Sequence, residues 1–205
     1  MSARPRLEFY FDCSSPWTYL AFTRIHDVVA RTKTDVLWKP ILVGGVFNEV
    51  NKEVYERRAN PDPRKGKYYV KDLADWAHFA GIKIGRPPVF PVNSVRAMRG
   101  ALAALDDGKL VPFAKAVFEA YWGDLLDIGQ PEILGRVAAS VGYDARAFLT
   151  RIEDPAIKAR LKANTDELIA RGGFGSPTMF VDGSDLYFGN DRLPLVREAL
   201  LGRRV

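Results

Sequence analysis

The run Asp12-Cys13-Ser14-Ser15-Pro16-Trp17-Thr18 sets two hydroxyls, on Ser15 and Thr18, three residues apart where an extended segment gives way to a helix. Serine just ahead of proline is a helix-start signal, because proline lacks only an N–H that the first turn leaves unused. In redox turns of the Cys-x-x-Cys type the first sulfur occupies this place, and the helix N-terminus stabilises its thiolate. Here both positions carry oxygen, so dithiol exchange is excluded at this junction. Two roles stay open for Ser15: capping the helix, or donating a hydrogen bond to a thiolate supplied by another molecule, which the helix dipole would also favour. Cys13 is the chain's single cysteine and is read as a small core hydrophobe. No histidine or carboxylate stands in the Ser15–Thr18 quartet, so Ser15 is not read as an acyl-transfer nucleophile. His26 and His78 fall inside helical runs and outside any motif. With one cysteine and two histidines, soft ligands are too few for a structural zinc cluster, and no metal site is expected.

Charge and aromatic content narrow the ligand class. Residues 51–100 hold 11 basic and 5 acidic side chains, whereas residues 101–170 hold 8 basic and 11 acidic. A surplus this local, without a nucleic-acid motif, fits a small anion better than a duplex, so no nucleic acid is expected as a partner. Trp17, Phe47, Tyr68, Trp76, Tyr121 and Trp122 could line a pocket for a flat aromatic acid. Helical spacing makes most of them core, and Trp17, Phe47 and Trp122 are the candidates. The N-terminal segment is too charged for a secretory leader and no run is long and apolar enough to span a membrane, so a cytoplasmic location is expected.

The elements that must position these residues follow from pattern. Arg6–Phe11 reads as a strand, 17–30 as a helix from its apolar stripe, and 35–43 as a second strand that ends or bulges near Pro40. From 44 to 153 only helical patterns occur: 68–79, 94–105, 109–121, 131–141 and 145–151, separated by Pro-, Gly- and Asp-rich breaks. A long helix over 155–171 stops at Gly172-Gly173. A hairpin follows, with strands at 178–182 and 186–188, and Asn190-Asp191 then caps a helix over 192–200. The order β–α–β, then α–β–β–α, describes an α/β thioredoxin-like fold with helices on both faces. Residues 1–43 and 154–205 would form its two halves, with 44–153 a helical insertion between them. In this topology Ser176-Pro177, just before the strand TMFVD, occupies the place of a cis-proline, whose preceding residue can pair through its backbone with an extended peptide.

The stretches FYFDCSSPWTYLAF, KPILVGGVF, KGKYYVKDLADWA, FPVNSVRAMR, GGFGSPTMFVDG and YFGNDRLPLVREAL resemble the 2-hydroxychromene-2-carboxylate isomerases and their relatives, the kappa-class glutathione transferases. The likeness spans nearly the whole chain, and the ordered set SP…GSPT…GNDR carries it. It implies a dimeric, glutathione-dependent enzyme of thioredoxin fold with a helical insertion. Ser15 then matches the serine that hydrogen-bonds the glutathione sulfur. Ser176 matches the residue pairing with the cysteinyl unit through its backbone, and Pro177 the cis-proline. Asn190 and Asp191 match the pair holding the γ-glutamyl group, and Lys65 a lysine that contacts glutathione. Asn51 matches an asparagine nearby, with Asn60 as the rival because the loop over 48–64 looks long.

The activity so implied is conversion of 2-hydroxychromene-2-carboxylate to trans-o-hydroxybenzylidenepyruvate. A glutathione thiolate adds to the conjugated alkene, the resulting single bond rotates, and elimination returns the thiolate. The small aromatic keto acid and glutathione are the expected partners, with a second copy of the chain. Two alternatives stand beside this: a kappa-like transferase or peroxidase, and a non-catalytic thioredoxin-like module that binds peptides beside the cis-proline.

Overall fold

The computed structural model describes residues 6–203; residues 1–5, part of the segment read as lacking a leader, lie outside them. Strand β1 (Leu7–Phe11) is buried along its length because the two-residue alternation of a strand lets it serve two cores. Leu7, Phe9 and Phe11 enter the larger core, packed against α1 (Pro16–Thr32), α5 (Val95–Asp106), α6 (Leu110–Phe118) and α10 (Leu193–Leu200). Tyr10 faces the other way and packs with Ile41, Val46, Leu168 and Phe180. On that face Glu8 is buried as well, and Arg171 closes over it, with Nη1 donating to Glu8 Oε2 at 2.7 Å and to the Tyr10 hydroxyl at 2.6 Å.

β2 (Val36–Pro40) runs parallel to β1, in register from Leu7 opposite Val36 to Phe11 opposite Pro40. On its other side β1 pairs antiparallel with β3 (Thr178–Val181), which in turn pairs antiparallel with β4 (Asp185–Phe188). The sheet order is therefore β2-β1-β3-β4, with helices on both faces, and the fold is the thioredoxin-like α/β arrangement that the element order describes. Between β2 and β3 every regular element among the described residues is helical: α2 (Val43–Val50), α3 (Glu53–Ala59), α4 (Pro63–Ala80), α5, α6 with a π-helical turn (Glu119–Gly123), α7 (Pro131–Ser140), α8 (Ala145–Arg151) and α9 (Pro155–Ala170). No helix among the described residues is long and apolar enough to cross a membrane.

Three expectations are refined. The second strand ends at Pro40, the proline at which an end or bulge is expected, and does not run on to Val43. The Leu42 N–H is taken by Thr165 Oγ1 (3.0 Å) and the Val43 N–H by Asp12 Oδ2 (2.9 Å), which turns the chain into α2 instead of leaving it on the sheet. The loop over 48–64 contains the end of α2 and all of α3. α2 carries Gly44 and Gly45, poor helix formers, yet Gly45 lets it approach α9, since a Cβ there would lie 3.3 Å from the Thr165 methyl. α3 is short and buries no residue, so no apolar stripe announces it. Finally, α4 begins at Pro63, five residues before the apolar pattern, because Asp62 caps it by accepting from the Arg64 and Lys65 N–H groups at 2.8 and 3.0 Å.

Candidate active site

The β1–α1 turn is held from beneath by Asp12, a carboxylate with no exposure to solvent. Its Oδ1 accepts from the Ser14 N–H (2.9 Å); its Oδ2 accepts from the Val43 N–H (2.9 Å) and the Ser94 hydroxyl (3.0 Å). The N-termini of α1, α2 and α5 thus converge on one acid. Burial pushes this carboxyl up from its ordinary range, and the Ser14, Val43 and Ser94 donors pull it back.

Ser15 rises from this turn as the N-cap of α1. Its Oγ accepts the Thr18 N–H at 3.2 Å and donates to the Ser176 carbonyl oxygen at 3.1 Å. Capping is therefore real, and the same hydroxyl also reaches the loop across the cleft. Ser176 is buried there, its Oγ 2.7 Å from Thr18 Oγ1 and accepting the Asp12 N–H at 3.0 Å. The Ser176–Pro177 peptide is cis. Among the described residues the Ser176 main-chain N–H has no acceptor, an orphan donor beside the tip of α1. The two hydroxyls that stand in the Cys-x-x-Cys positions therefore both meet Ser176, which the sequence places 161 residues from Ser15 and 158 from Thr18.

Gly189 donates its N–H to the Pro177 carbonyl (3.1 Å), which brings the 3-10 turn Asn190–Arg192 against the same loop. With φ at +107° and Asp191 Oδ1 only 2.7 Å from where a Cβ would stand, position 189 requires glycine. Asn190 is buried, and its Oδ1 accepts from Arg24 at 3.3 Å; Asp191 is exposed and pairs with Arg192 at 2.8 Å. Neither side chain caps α10, contrary to the sequence reading: the 3-10 turn intervenes, and α10 starts at Leu193 without a side-chain cap.

Of the two rival asparagines, the fold brings Asn51 to the loop. Its Nδ2 donates to the Phe174 carbonyl at 3.1 Å, two residues before Ser176. Asn60 ends α3 on the surface, and Lys65 lies in the first turn of α4 with its side chain exposed. No hydrogen bond or ion pair among the described residues joins Lys65 or Asn60 to the Ser15–Ser176 cleft. Trp17, half-buried, meets Tyr69 edge to face at 5.5 Å, and Phe47 stands near Gly175. Trp122 is buried behind Phe90, its indole N–H donated to the Cys13 carbonyl at 3.0 Å. Cys13 is itself enclosed, and burial pushes its thiol well above the usual range, which suits packing and not nucleophilic chemistry.

The DSBA-like thioredoxin domain model matches the chain over residues 6–201, a span that includes both the serine N-cap and the cis-proline loop. The chain belongs to that family. It is 29% identical over 201 residues to a 2-hydroxychromene-2-carboxylate isomerase of Sphingobium xenophagum, covering 95% of this chain and 97% of the relative. It is 31% identical over 216 residues to glutathione S-transferase kappa 2 of Caenorhabditis elegans, covering 98% and 93%. The solved structure of a 2-hydroxychromene-2-carboxylate isomerase superposes with a TM-score of 0.80 at 27% identity, covering 96% of this chain and 95% of that one. The resemblance carried by SP…GSPT…GNDR is thereby borne out at the level of the family.

Asp12 anchors the β1–α1 turn without any motif announcing it. Asp12 is legible in sequence only as a polar residue before a helix. Its function as a three-donor anchor depends on Val43 and Ser94, which lie 31 and 82 residues on.

Proposed function

We propose that this chain is a glutathione-dependent isomerase of 2-hydroxychromene-2-carboxylate type, working at the Ser15–Ser176 cleft. The observation that carries the reading is the Ser15 hydroxyl at the N-terminus of α1, within reach of the orphan N–H side of the cis-proline loop. These groups fit a thiol tripeptide: a main-chain donor for its cysteinyl unit, a hydroxyl and a helix N-terminus for its sulfur, and Asp191 for its γ-glutamyl ammonium. Once bound, glutathione supplies a thiolate able to add reversibly to a conjugated alkene.

Each residue's part follows from its chemistry. Ser15 turns its O–H from the Ser176 carbonyl to the anionic sulfur, and the α1 dipole adds to the same effect, so the bound thiol ionises near neutral pH. Ser176 pairs through its backbone, and Pro177 keeps that segment extended. Asn51 holds the Phe174 carbonyl and with it the approach to Ser176. Lys65 adds positive charge toward an anionic ligand, while Trp17 and Phe47 supply apolar surface for a flat keto acid and Trp122, buried behind Phe90, backs it. The protein is read as a cytoplasmic homodimer, a state that light scattering checks.

The decisive experiment has two parts. Calorimetry with glutathione against a generic tripeptide separates an enzyme of this class from a peptide-binding module. A spectrophotometric assay of the isomerisation, run beside conjugation of glutathione to an electrophilic arene, separates isomerase from transferase. The transferase is the second reading, favoured by the likeness to the Caenorhabditis elegans kappa relative. Absence of glutathione binding overturns both.

A further inference from the structure

Helix α3 holds a cation that the glutathione reading leaves unused. Arg58 places its guanidinium carbon 5.6 Å from the centre of the Phe47 ring and 5.2 Å from that of Phe90. These two rings connect it to the cis-proline loop on one side and to the β1–α1 turn on the other. Phe47 Cε1 lies 3.8 Å from where a Cβ would stand on Gly175, the residue before Ser176. Phe90 lies 6.0 Å from Trp122, whose indole N–H is bound to the carbonyl of Cys13, two residues before Ser15. Across the opening, Tyr69 stands against Trp17; burial raises its hydroxyl, and Trp17 and the Arg58 charge pull it back.

The chemistry of this placement is specific. All five N–H donors of a guanidinium lie in its plane, rings accept none of them as a full hydrogen bond, and the donor edges match a carboxylate in bidentate fashion. Arg96, Arg99, Arg151, Arg160 and Arg171 each hold a carboxylate, whereas Arg24, which also lies over two rings, is engaged by Asn190 instead. Arg58 holds no carboxylate among the described residues. An exposed guanidinium beside the Phe47 and Phe90 rings, with no carboxylate partner among the described residues, is suited to an anion whose own body is flat and apolar.

We propose that Arg58 binds the carboxylate of the cleft's second substrate, a planar conjugated aromatic acid, and so sets a preference for acids over neutral electrophiles. The assignment of that acid as substrate rests on the function proposed above, whereas the binding of an aromatic carboxylate at Arg58 is measured without it. The probes are cinnamate and its neutral isostere cinnamamide, titrated by tryptophan fluorescence into wild type, Arg58→Met and Arg58→Lys, with and without glutathione. Arg58 is exposed, and a melting curve checks that the variants fold. The expected result is a loss of cinnamate affinity of roughly 10- to 100-fold in Arg58→Met. Cinnamamide and glutathione affinities stay unchanged, and Arg58→Lys recovers only part because it lacks the planar fork. Equal cinnamate affinity in wild type and Arg58→Met, an equal loss for both probes, or no binding of cinnamate to wild type overturns the proposal. If wild type discriminates through Arg58 but does not bind glutathione, the carboxylate site stands and the isomerase reading falls.

Discussion

Replacing Ser15 with alanine removes a single hydroxyl that serves two partners in the free protein and a third in the proposed complex. The first partner is the Thr18 N–H, accepted at 3.2 Å; losing an N-cap costs about 1 kcal/mol. The second is the Ser176 carbonyl at 3.1 Å, a neutral hydrogen bond worth ~0.5–1.5 kcal/mol net. Together they give a stability loss of ~1.5–2.5 kcal/mol, which in a chain of this size lowers Tm by roughly 3–10 °C. The effect on chemistry is smaller than a bare charged hydrogen bond suggests. To reach a thiolate the O–H must leave the Ser176 carbonyl, so the gain is ~1.5–3 kcal/mol for the charged bond less that neutral one. The net is about 1–1.5 kcal/mol, or about one pKa unit and about 10-fold in turnover. The sign is fixed: Ser15 stabilises the ionised thiol and depresses its pKa, so Ser15→Ala raises it and leaves less thiolate at neutral pH. The assay is a pH titration of thiolate absorbance near about 240 nm with glutathione bound, beside turnover and a melting curve. A fall in Tm with unchanged thiol pKa and turnover would leave Ser15 as a helix cap and refute the mechanism.

Asp12→Asn turns a donor amide toward the Val43 N–H and Ser94 hydroxyl, or toward the Ser14 N–H, and should cost ~1–3 kcal/mol by denaturant unfolding. Because burial raises the Asp12 carboxyl, the folded state keeps that proton to higher pH than the unfolded chain. Its stabilising contribution is therefore full below the unfolded pKa and is lost as pH rises through the folded one, so the gap between wild type and Asp12→Asn should vary with pH in that direction; a flat difference contradicts it. Arg171→Ala leaves the buried Glu8 carboxylate without its partner and should cost ~3 kcal/mol, with less than about 1 kcal/mol counting against the clamp. Asp191→Ala should weaken glutathione roughly 2- to 5-fold in calorimetry, a modest loss because Asp191 is exposed and already pairs with Arg192; unchanged affinity removes it from the site.

What the sequence alone determined was the part of this protein written in short-range signals. The aromatic-rich run Leu7–Phe11, the Ser15-Pro16 start of α1, the helical patterns of α5 to α9 and the hairpin between β3 and β4 all depend on neighbours within a few residues. They specify the order of elements, and the order identifies the thioredoxin-like fold. The family resemblance works the same way, since SPWT, GSPT and GNDR are local runs. α2 and α3 were not legible because their helicity comes from outside. Gly44 and Gly45 are helical only because the chain is turned there by Asp12 and Thr165, and α3 has no buried face to mark a period.

Only the tertiary structure decided which polar groups meet. The Ser15 hydroxyl meets the Ser176 carbonyl, Asp12 meets Val43 and Ser94, Asn51 and not Asn60 meets Phe174, and Arg58 comes between Phe47 and Phe90. Each contact joins residues brought close by the sheet and the helices around it, over separations at which no periodicity survives. Hydrogen bonds and guanidinium contacts act within about 3–6 Å. Local sequence can therefore supply the donors and acceptors of a site, but their pairing is set by the packing of β1 between two cores.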